Sequence, residues 1–261
     1  DMFTREELNQ LEQLKADNPK LRQLLDKYDQ EQKYALSYLS HSIRNDLTVL
    51  MSSFQITEKC HPEVRDFKHW QECVKGAFYI RNLMEDLYDY EHSSTIHCSP
   101  IMLNELLTDL VDFFPHEHYS TASSVTLQTA EFCPEYNGDS LKLYHALELL
   151  LINAYEALPE ENGKILLTLS CTNSLFQITI SDNGKGFSKD MKKKLWQPFA
   201  TDKQHHTGLG LCTAHGIILA HGGHMKLAWS GMEGTCIEVY LPIVSIETLS
   251  GKCEKFVQHA N

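Results

Sequence analysis

Between residues 36 and 54 the apolar positions fall at Leu36, Leu39, Ile43, Leu47, Leu50 and Phe54, with spacings of 3, 4, 4, 3 and 4. That rhythm keeps returning to one side of a helix and fits no strand, whose side chains alternate every second residue. His61-Pro62 interrupts it, and a second stripe follows at Phe67, Trp70, Val74, Ala77, Met84 and Leu87. The spacing predicts a helix over about 19–58, entered through Asn18 as N-cap and Pro19 at the first helical position. A further helix is expected over about 63–93, and a shorter one over 3–17 with Leu8, Leu11 and Leu14 among charges. Two long antiparallel helices with one apolar stripe each bury both stripes poorly alone. A four-helix bundle built from two copies buries them well, so a homodimer is expected.

The texture changes near Ser93-Ser94-Thr95. A helix is expected at about 101–114, a strand at 125–128, and a strong helix at about 139–158 with Asp139 as N-cap. Two β-rich runs, 164–172 and 175–181, are joined by a turn at Asn173-Ser174. The stretch 182–206 reads as loop-rich, and a helix over about 207–221 is ended by Gly222-Gly223. A last strand pair, 225–230 and 235–241, is joined through Gly231 and Gly234. Mixed in this way, the elements make an α+β chain: a helical-hairpin domain over 1–96, an α/β sandwich over 97–245 with helices on one face of a sheet, and a tail over 246–261.

Composition narrows the function classes. The 261 residues are 42% hydrophobic, enough for real cores and against wholesale disorder. The formal charge is −12, spread along the chain with no basic arm, which excludes direct nucleic-acid binding through clustered Lys and Arg. The eight cysteines, Cys60, Cys73, Cys98, Cys133, Cys171, Cys212, Cys236 and Cys253, form no Cys-x-x-Cys pair and read as reduced thiols of a cytoplasmic protein. No signal peptide or membrane-spanning apolar run is present in the sequence. The chain opens on Asp1 rather than Met, and is expected to be the soluble part of something longer. Membrane contact is expected only if an upstream segment is missing from it.

Chemistry-bearing residues appear in both halves. Within Ser40-His41-Ser42-Ile43-Arg44-Asn45-Asp46, His41 lies roughly 160° around the helix from the apolar stripe, at ~100° per residue. Asn45, four residues on, is its neighbour on that outer face. A neutral imidazole there is a nucleophile accessible to a phosphoryl donor. The second half holds four separated pieces. Asn153, in Leu151-Ile152-Asn153-Ala154-Tyr155-Glu156-Ala157, can offer its amide oxygen to a phosphate-bound Mg²⁺. Asp182, in Asp182-Asn183-Gly184-Lys185-Gly186, can accept from an adenine amino group, while Gly184 and Gly186 let the backbone turn and approach closely. Gln197-Pro198-Phe199-Ala200-Thr201-Asp202-Lys203 reads as a lid whose Lys203 reaches a phosphate. Thr207-Gly208-Leu209-Gly210-Leu211 opens a helix, where backbone N–H groups and the helix dipole favour an anion. Neither the dinucleotide-binding nor the P-loop spacing is present.

In this order the pieces resemble the cytoplasmic part of a bacterial sensor histidine kinase. His41-Ser42-Ile43-Arg44-Asn45 looks like the H box, Asn153-Ala154 like the N box and Asp182–Gly186 like the G1 box. Phe199–Lys203 is similar to the F box and Thr207–Leu211 to the G2 box, and the likeness covers roughly residues 30–242. The resemblance implies a dimerisation and phosphotransfer domain followed by a Bergerat-type ATPase domain. The implied chemistry is ATP-dependent autophosphorylation of His41, then phosphotransfer to an aspartate on the receiver domain of a response regulator. The assignments are Asp182 to adenine, Asn153 to Mg²⁺, Lys203 to phosphate, and Gly184, Gly186, Gly208 and Gly210, with Thr207 and Leu209, to the nucleotide cradle. A protein carrying −12 must attract a polyanion locally, so Mg²⁺, Lys185 and Lys203 are the expected sources of positive charge.

The chain departs from that pattern at four positions. Ser42 stands where the family usually has an acidic residue, and it is a much poorer base near neutral pH. Asp46 replaces the usual proline, so no kink is expected there. Leu149 replaces a polar residue four before Asn153, and His206 replaces the first glycine of the G2 box. Asn45 matches a position that in the family orients water for dephosphorylating the partner, which admits a bifunctional kinase and phosphatase. The alternative is a degenerate kinase acting as a phosphotransfer or interaction adaptor.

Overall fold

The structure is a computed structural model and describes residues 18–114, 124–130, 133–172, 174–203 and 206–243. The helix expected over 3–17, the tail over 246–261, Asn173 of the expected turn, and the side chains of Leu36 and Leu39 lie outside the described residues. The chain divides into two compact units between Tyr88 and Asp89.

The first unit opens with helix α1, Pro19–Cys60. Its entrance is the expected one: Asn18 Oδ1 accepts the Leu21 N–H at 3.0 Å, and Pro19 occupies a position whose N–H would have had no helical partner. No proline interrupts the 42 residues, and the helix runs on through His41 and Asp46. It ends at Cys60, with His61 as its C-cap, and a 3₁₀ turn, Pro62–Asp66, follows. Phe67 is extended, so the helix expected from 63 to 93 is this turn followed by α2, Lys68–Glu91. Trp70 ties the corner by donating Nε1–H to Glu58 at 3.0 Å and meeting Phe54 edge-on at 5.1 Å between ring centroids. Leu47, Met51 and Ala77 are buried, while the stripe residues Ile43 and Leu50 remain 41% and 42% exposed in the single chain.

The second unit contains β1 (Ser99–Ile101), α3 (Leu103–Phe113), β2 (Ser124–Thr129), β3 (Tyr136–Gly138) and α4 (Ser140–Tyr155). Strands β4 (Lys164–Cys171) and β5 (Leu175–Asp182), helices α5 (Lys189–Lys193) and α6 (Gly210–Ala220), and strands β6 (His224–Gly231) and β7 (Gly234–Pro242) follow. Five strands form one sheet in the order β2-β4-β5-β7-β6; β2 and β4 are parallel and the other pairs antiparallel. Strand β5 alternates as a half-buried strand must: Phe176, Ile178 and Ile180 face the core and the residues between them are only partly covered. Helices α3, α4 and α6 cover that face through Leu107, Leu110, Leu143, Leu147, Leu150, Ile217 and Ile218, all fully buried in one cluster. This is the expected α+β sandwich. Strands β1 and β3, which pair antiparallel as a separate two-stranded sheet, were not expected, nor was the short α5 within 182–206.

A buried polar knot fixes α4 against the end of α6. Asp139 caps α4 as expected, accepting the Lys142 N–H at 3.1 Å and the His97 N–H at 2.8 Å. Its own N–H donates to His221 Nε2 at 3.0 Å, and His221 Nδ1 donates to the Ile217 carbonyl at 2.7 Å. These two bonds require the neutral Nδ1–H tautomer. Burial agrees, pushing the imidazole below its ordinary value against the pull of the Ile217 carbonyl and Asp139. The Tyr136 hydroxyl donates to the His221 carbonyl at 3.2 Å.

Candidate functional site

The second half of α4, from Leu149 to the turn at Ala157, forms a wall on which three loops from different parts of the sequence converge. The first loop leaves the end of β5. Asp182 is buried there and its Oδ1 accepts the Gly184 N–H at 2.8 Å. Burial pushes its carboxyl above the usual range, offset in part by the Gly184 and Thr235 N–H groups and by the positive charge of Lys203. Gly184 lies so close to the end of α4 that a Cβ would sit 2.3 Å from the Ala157 carbonyl oxygen. The next residue, Lys185, donates its N–H to that same oxygen at 3.0 Å. Gly186 presses in the same way on Gly231. Asn183 anchors the other side of the loop: its Oδ1 accepts the Lys164 N–H at 2.7 Å and its amide donates to the Asn162 carbonyl at 2.9 Å.

The second loop brings Lys203. Its ammonium lies 2.7 Å from Glu156 Oε2 and 3.5 Å from Asn153 Oδ1, with both ion-pair side chains largely covered. The Thr201 hydroxyl accepts the Lys203 N–H at 3.1 Å and shapes the approach. The third loop is the entrance to α6. Gly208 has φ +69°, the left-handed region that glycine enters without cost, and its missing side chain lets it pack on the backbone of Phe199 and Ala200. Thr207 Oγ1 accepts the Leu209 N–H at 3.3 Å, Leu209 is fully buried, and α6 starts at Gly210 without a side-chain cap. Gly210 lies against Leu149, where a Cβ would be 3.4 Å from that side chain.

Asn153, Asp182, Gly184, Lys203 and Gly210 are thus brought together, although 57 positions separate the first from the last. Two residues with no assigned role join them. Glu156 pairs with Lys203, and its other oxygen lies 3.7 Å from His206 Nδ1. Thr235 supports Asp182 through its N–H. Glu156 stands three residues after Asn153, a spacing that puts both on one helix face. Glu148 is turned to His145 at 3.7 Å, and no described contact puts it in the place of the polar residue that Leu149 replaces. An amide oxygen beside a carboxylate, already facing an ammonium, is a donor set that suits a hard cation such as Mg²⁺.

The first unit supplies the other chemistry. His41 is exposed on α1, and its Nδ1 lies 3.3 Å from the Asn45 amide nitrogen. Ser42 and Asp46 are also exposed. With Nδ1 engaged by Asn45, Nε2 is the ring nitrogen left to meet an incoming electrophile.

A helical hairpin with an exposed histidine is thus followed in the chain by an α+β sandwich with a glycine-lined wall. Residues 138–245 match the histidine kinase-, DNA gyrase B-, and HSP90-like ATPase family. The chain is 26% identical over 218 residues to sensor histidine kinase ZraS of Escherichia coli strain K12, covering 82% of this chain and 47% of that protein. In fold it is similar to full-length ShkA crystallised with AMPPNP, with a TM-score of 0.67 at 19% identity, over 80% of this chain and 45% of that one. It is also similar to histidine kinase ThkA crystallised with response regulator protein TrrA, with a TM-score of 0.56 at 21% identity, over 87% and 65%. Over most of its length the chain is similar to bacterial sensor histidine kinases. It spans about half the length of the curated relatives it matches. Among the described residues no helix is long and apolar enough to cross a membrane.

Proposed function

We propose that the chain is an ATP-dependent protein-histidine kinase that phosphorylates His41 and passes the phosphoryl group to an aspartate on a response regulator receiver domain. The observation that carries this is the convergence of Asp182–Gly184, Lys203 and the α6 entrance on the Asn153 segment, in a chain whose other unit presents an exposed, unencumbered imidazole nitrogen. Asp182 is suited to accept the adenine amino group, because a buried carboxylate anchored by a backbone N–H has a fixed direction. Lys203 and the N–H groups opening α6 offer positive charge to the phosphates. Asn153, with Glu156 beside it, would hold Mg²⁺, which when bound neutralises phosphate charge.

The chemical step forms a bond from His41 Nε2 to the γ-phosphorus and breaks the bond to the ADP oxygen. It requires a lone pair on Nε2 and the ring proton on Nδ1. Asn45 can set that tautomer when its amide turns Oδ1 towards the ring, since the two ends of an amide are assigned from hydrogen bonding alone. Ser42 offers no strong base beside the ring, so slow turnover is expected. The closeness of the Asn45 amide to His41 supports a second role for it, orienting a water for dephosphorylating the partner. The half-covered stripe at Ile43 and Leu50 favours a homodimer, in which a second copy would cover it.

Ser42 and Leu149 favour a second reading, a degenerate kinase that serves as an adaptor for a response regulator and binds nucleotide without turning it over. Incubation with γ-labelled ATP and Mg²⁺ separates the two. The kinase reading expects acid-labile label that disappears in both His41→Ala and Asp182→Asn. Tight nucleotide binding with no labelling at any Mg²⁺ concentration selects the adaptor.

A further inference from the structure

The Lys203 ammonium is already occupied. It lies on Glu156 at 2.7 Å and within 3.5 Å of the Asn153 amide oxygen, the atom proposed to face Mg²⁺. The second oxygen of Glu156 is 3.7 Å from His206 Nδ1, so one carboxylate gathers nitrogens of both Lys203 and His206. The backbone of Glu156 is anchored, because its N–H donates to the Ile152 carbonyl at 2.9 Å where α4 ends. Phosphate oxygens approaching Asn153 therefore meet a lysine already paired with a carboxylate.

We infer that Glu156 is a positioning residue that parks Lys203 against Asn153, and that bound ATP takes the ammonium over from it. The inference rests on the reading of this wall as an ATP site. In the parked arrangement Lys203 stands where a cation is wanted, so the Asn153 amide and the Glu156 carboxylate are charge-compensated before nucleotide arrives. Transfer of the ammonium to phosphate leaves both oxygens facing the same place, which then favours a divalent cation. The ordering follows from charge alone: Lys203 must leave before Mg²⁺ can be accommodated beside Glu156. The parked state lowers apparent affinity by the fraction of molecules not yet competent. For a partly covered ion pair this reduction is about two- to fivefold.

The test is calorimetric titration of the 261-residue chain with ATP, once in EDTA and once in Mg²⁺. Wild type, Glu156→Gln, Lys203→Met, the double variant and Glu156→Asp are compared, with circular dichroism confirming that each is folded. In EDTA, Glu156→Gln should bind ATP about two- to fivefold more tightly than wild type, Lys203→Met more weakly, and Glu156→Asp like wild type. In the Lys203→Met background, Glu156→Gln should change nothing in EDTA, since no lysine is left to park. An unchanged affinity in Glu156→Gln, or the same gain with Lys203 absent, overturns the inference while leaving the ATP site intact. Weaker binding in EDTA by Glu156→Gln overturns it as well. Failure of the wild type to bind ATP in either condition overturns the ATP reading, and the inference with it.

Discussion

Substituting Gly184 with alanine tests whether the loop after β5 is built against the end of α4 as described. An added Cβ would lie 2.3 Å from the Ala157 carbonyl oxygen and 2.6 Å from its carbon, both backbone atoms that no rotamer change can move aside. The loop must withdraw by about 1 Å, and overpacking of this kind costs about 1–3 kcal/mol. Withdrawal also stretches the Lys185 N–H bond to Ala157, 3.0 Å in the structure, which adds about 1 kcal/mol. The expected loss is therefore about 2–4 kcal/mol, at the upper end of single-substitution effects. Urea unfolding reads this directly. Trp196 and Trp229 lie in the second unit and Trp70 in the first, so a Trp70→Phe background makes tryptophan fluorescence report on the second unit alone. With a slope of about 2 kcal/mol per molar urea, the midpoint should fall by about 1–2 M. Gly76→Ala, in the first unit and read by far-ultraviolet circular dichroism, is the contrasting variant, because nothing lies within 4 Å of a Cβ there and α2 should gain about 0.5–1 kcal/mol. A Gly184→Ala midpoint within about 0.2 M of its parent would refute the close approach and the cradle geometry that follows from it.

The remaining predictions concern two imidazoles, His145, half-buried, and His221, buried. Asp89 raises the His145 value, opposed by burial and reinforced by Glu148, so the folded state holds this proton more tightly than the unfolded one. Its stabilising contribution is complete below the unfolded value near 6.5 and is lost as pH rises through the folded value. The second unit of wild type should therefore lose stability relative to His145→Gln as pH rises above about 6.5 in urea titrations, and parallel pH profiles for the two would refute the assignment. His221 has the opposite sign, since burial lowers its value; its contribution is lost as pH falls below about 6.5. His221→Phe leaves the Asp139 N–H without its partner, while the Ile217 carbonyl keeps the backbone N–H of residue 221, and should cost about 1–3 kcal/mol at neutral pH, read from the same unfolding midpoint.

Much of this architecture is legible in the chain itself, for identifiable reasons. Helix α1 announces its start through Asn18-Pro19 and its length through a repeating stripe, and β5 announces itself by alternation over eight residues. Strands β1 and β3 have three residues each and α5 has five, too short for any period to show. The second helix reads as continuous from residue 63 because nothing local marks Phe67 as extended; the break follows from the 3₁₀ turn that Pro62 starts. In the site, Asn153, Asp182 and the glycines stand out because few other residue types suit a close backbone approach or a fixed acceptor. Glu156 does not, because a charged residue near a helix end is ordinary, and its partner is 47 positions away. The one local signal was its three-residue spacing from Asn153. His221 reads as a helix-end histidine, and only its contact with Asp139, 82 positions earlier, shows it to be a buried, neutral acceptor.

The central claim is that γ-phosphate from ATP reaches the nitrogen of one exposed histidine. Its most direct test is to incubate the chain with ATP and Mg²⁺, digest at neutral to alkaline pH, and locate the added phosphate by peptide mass spectrometry. The account predicts one acid-labile phosphate on the peptide containing His41, dependent on Asp182 and absent from His41→Ala. Acid-stable phosphate on a serine or threonine, or acid-labile phosphate on a different histidine, would contradict it.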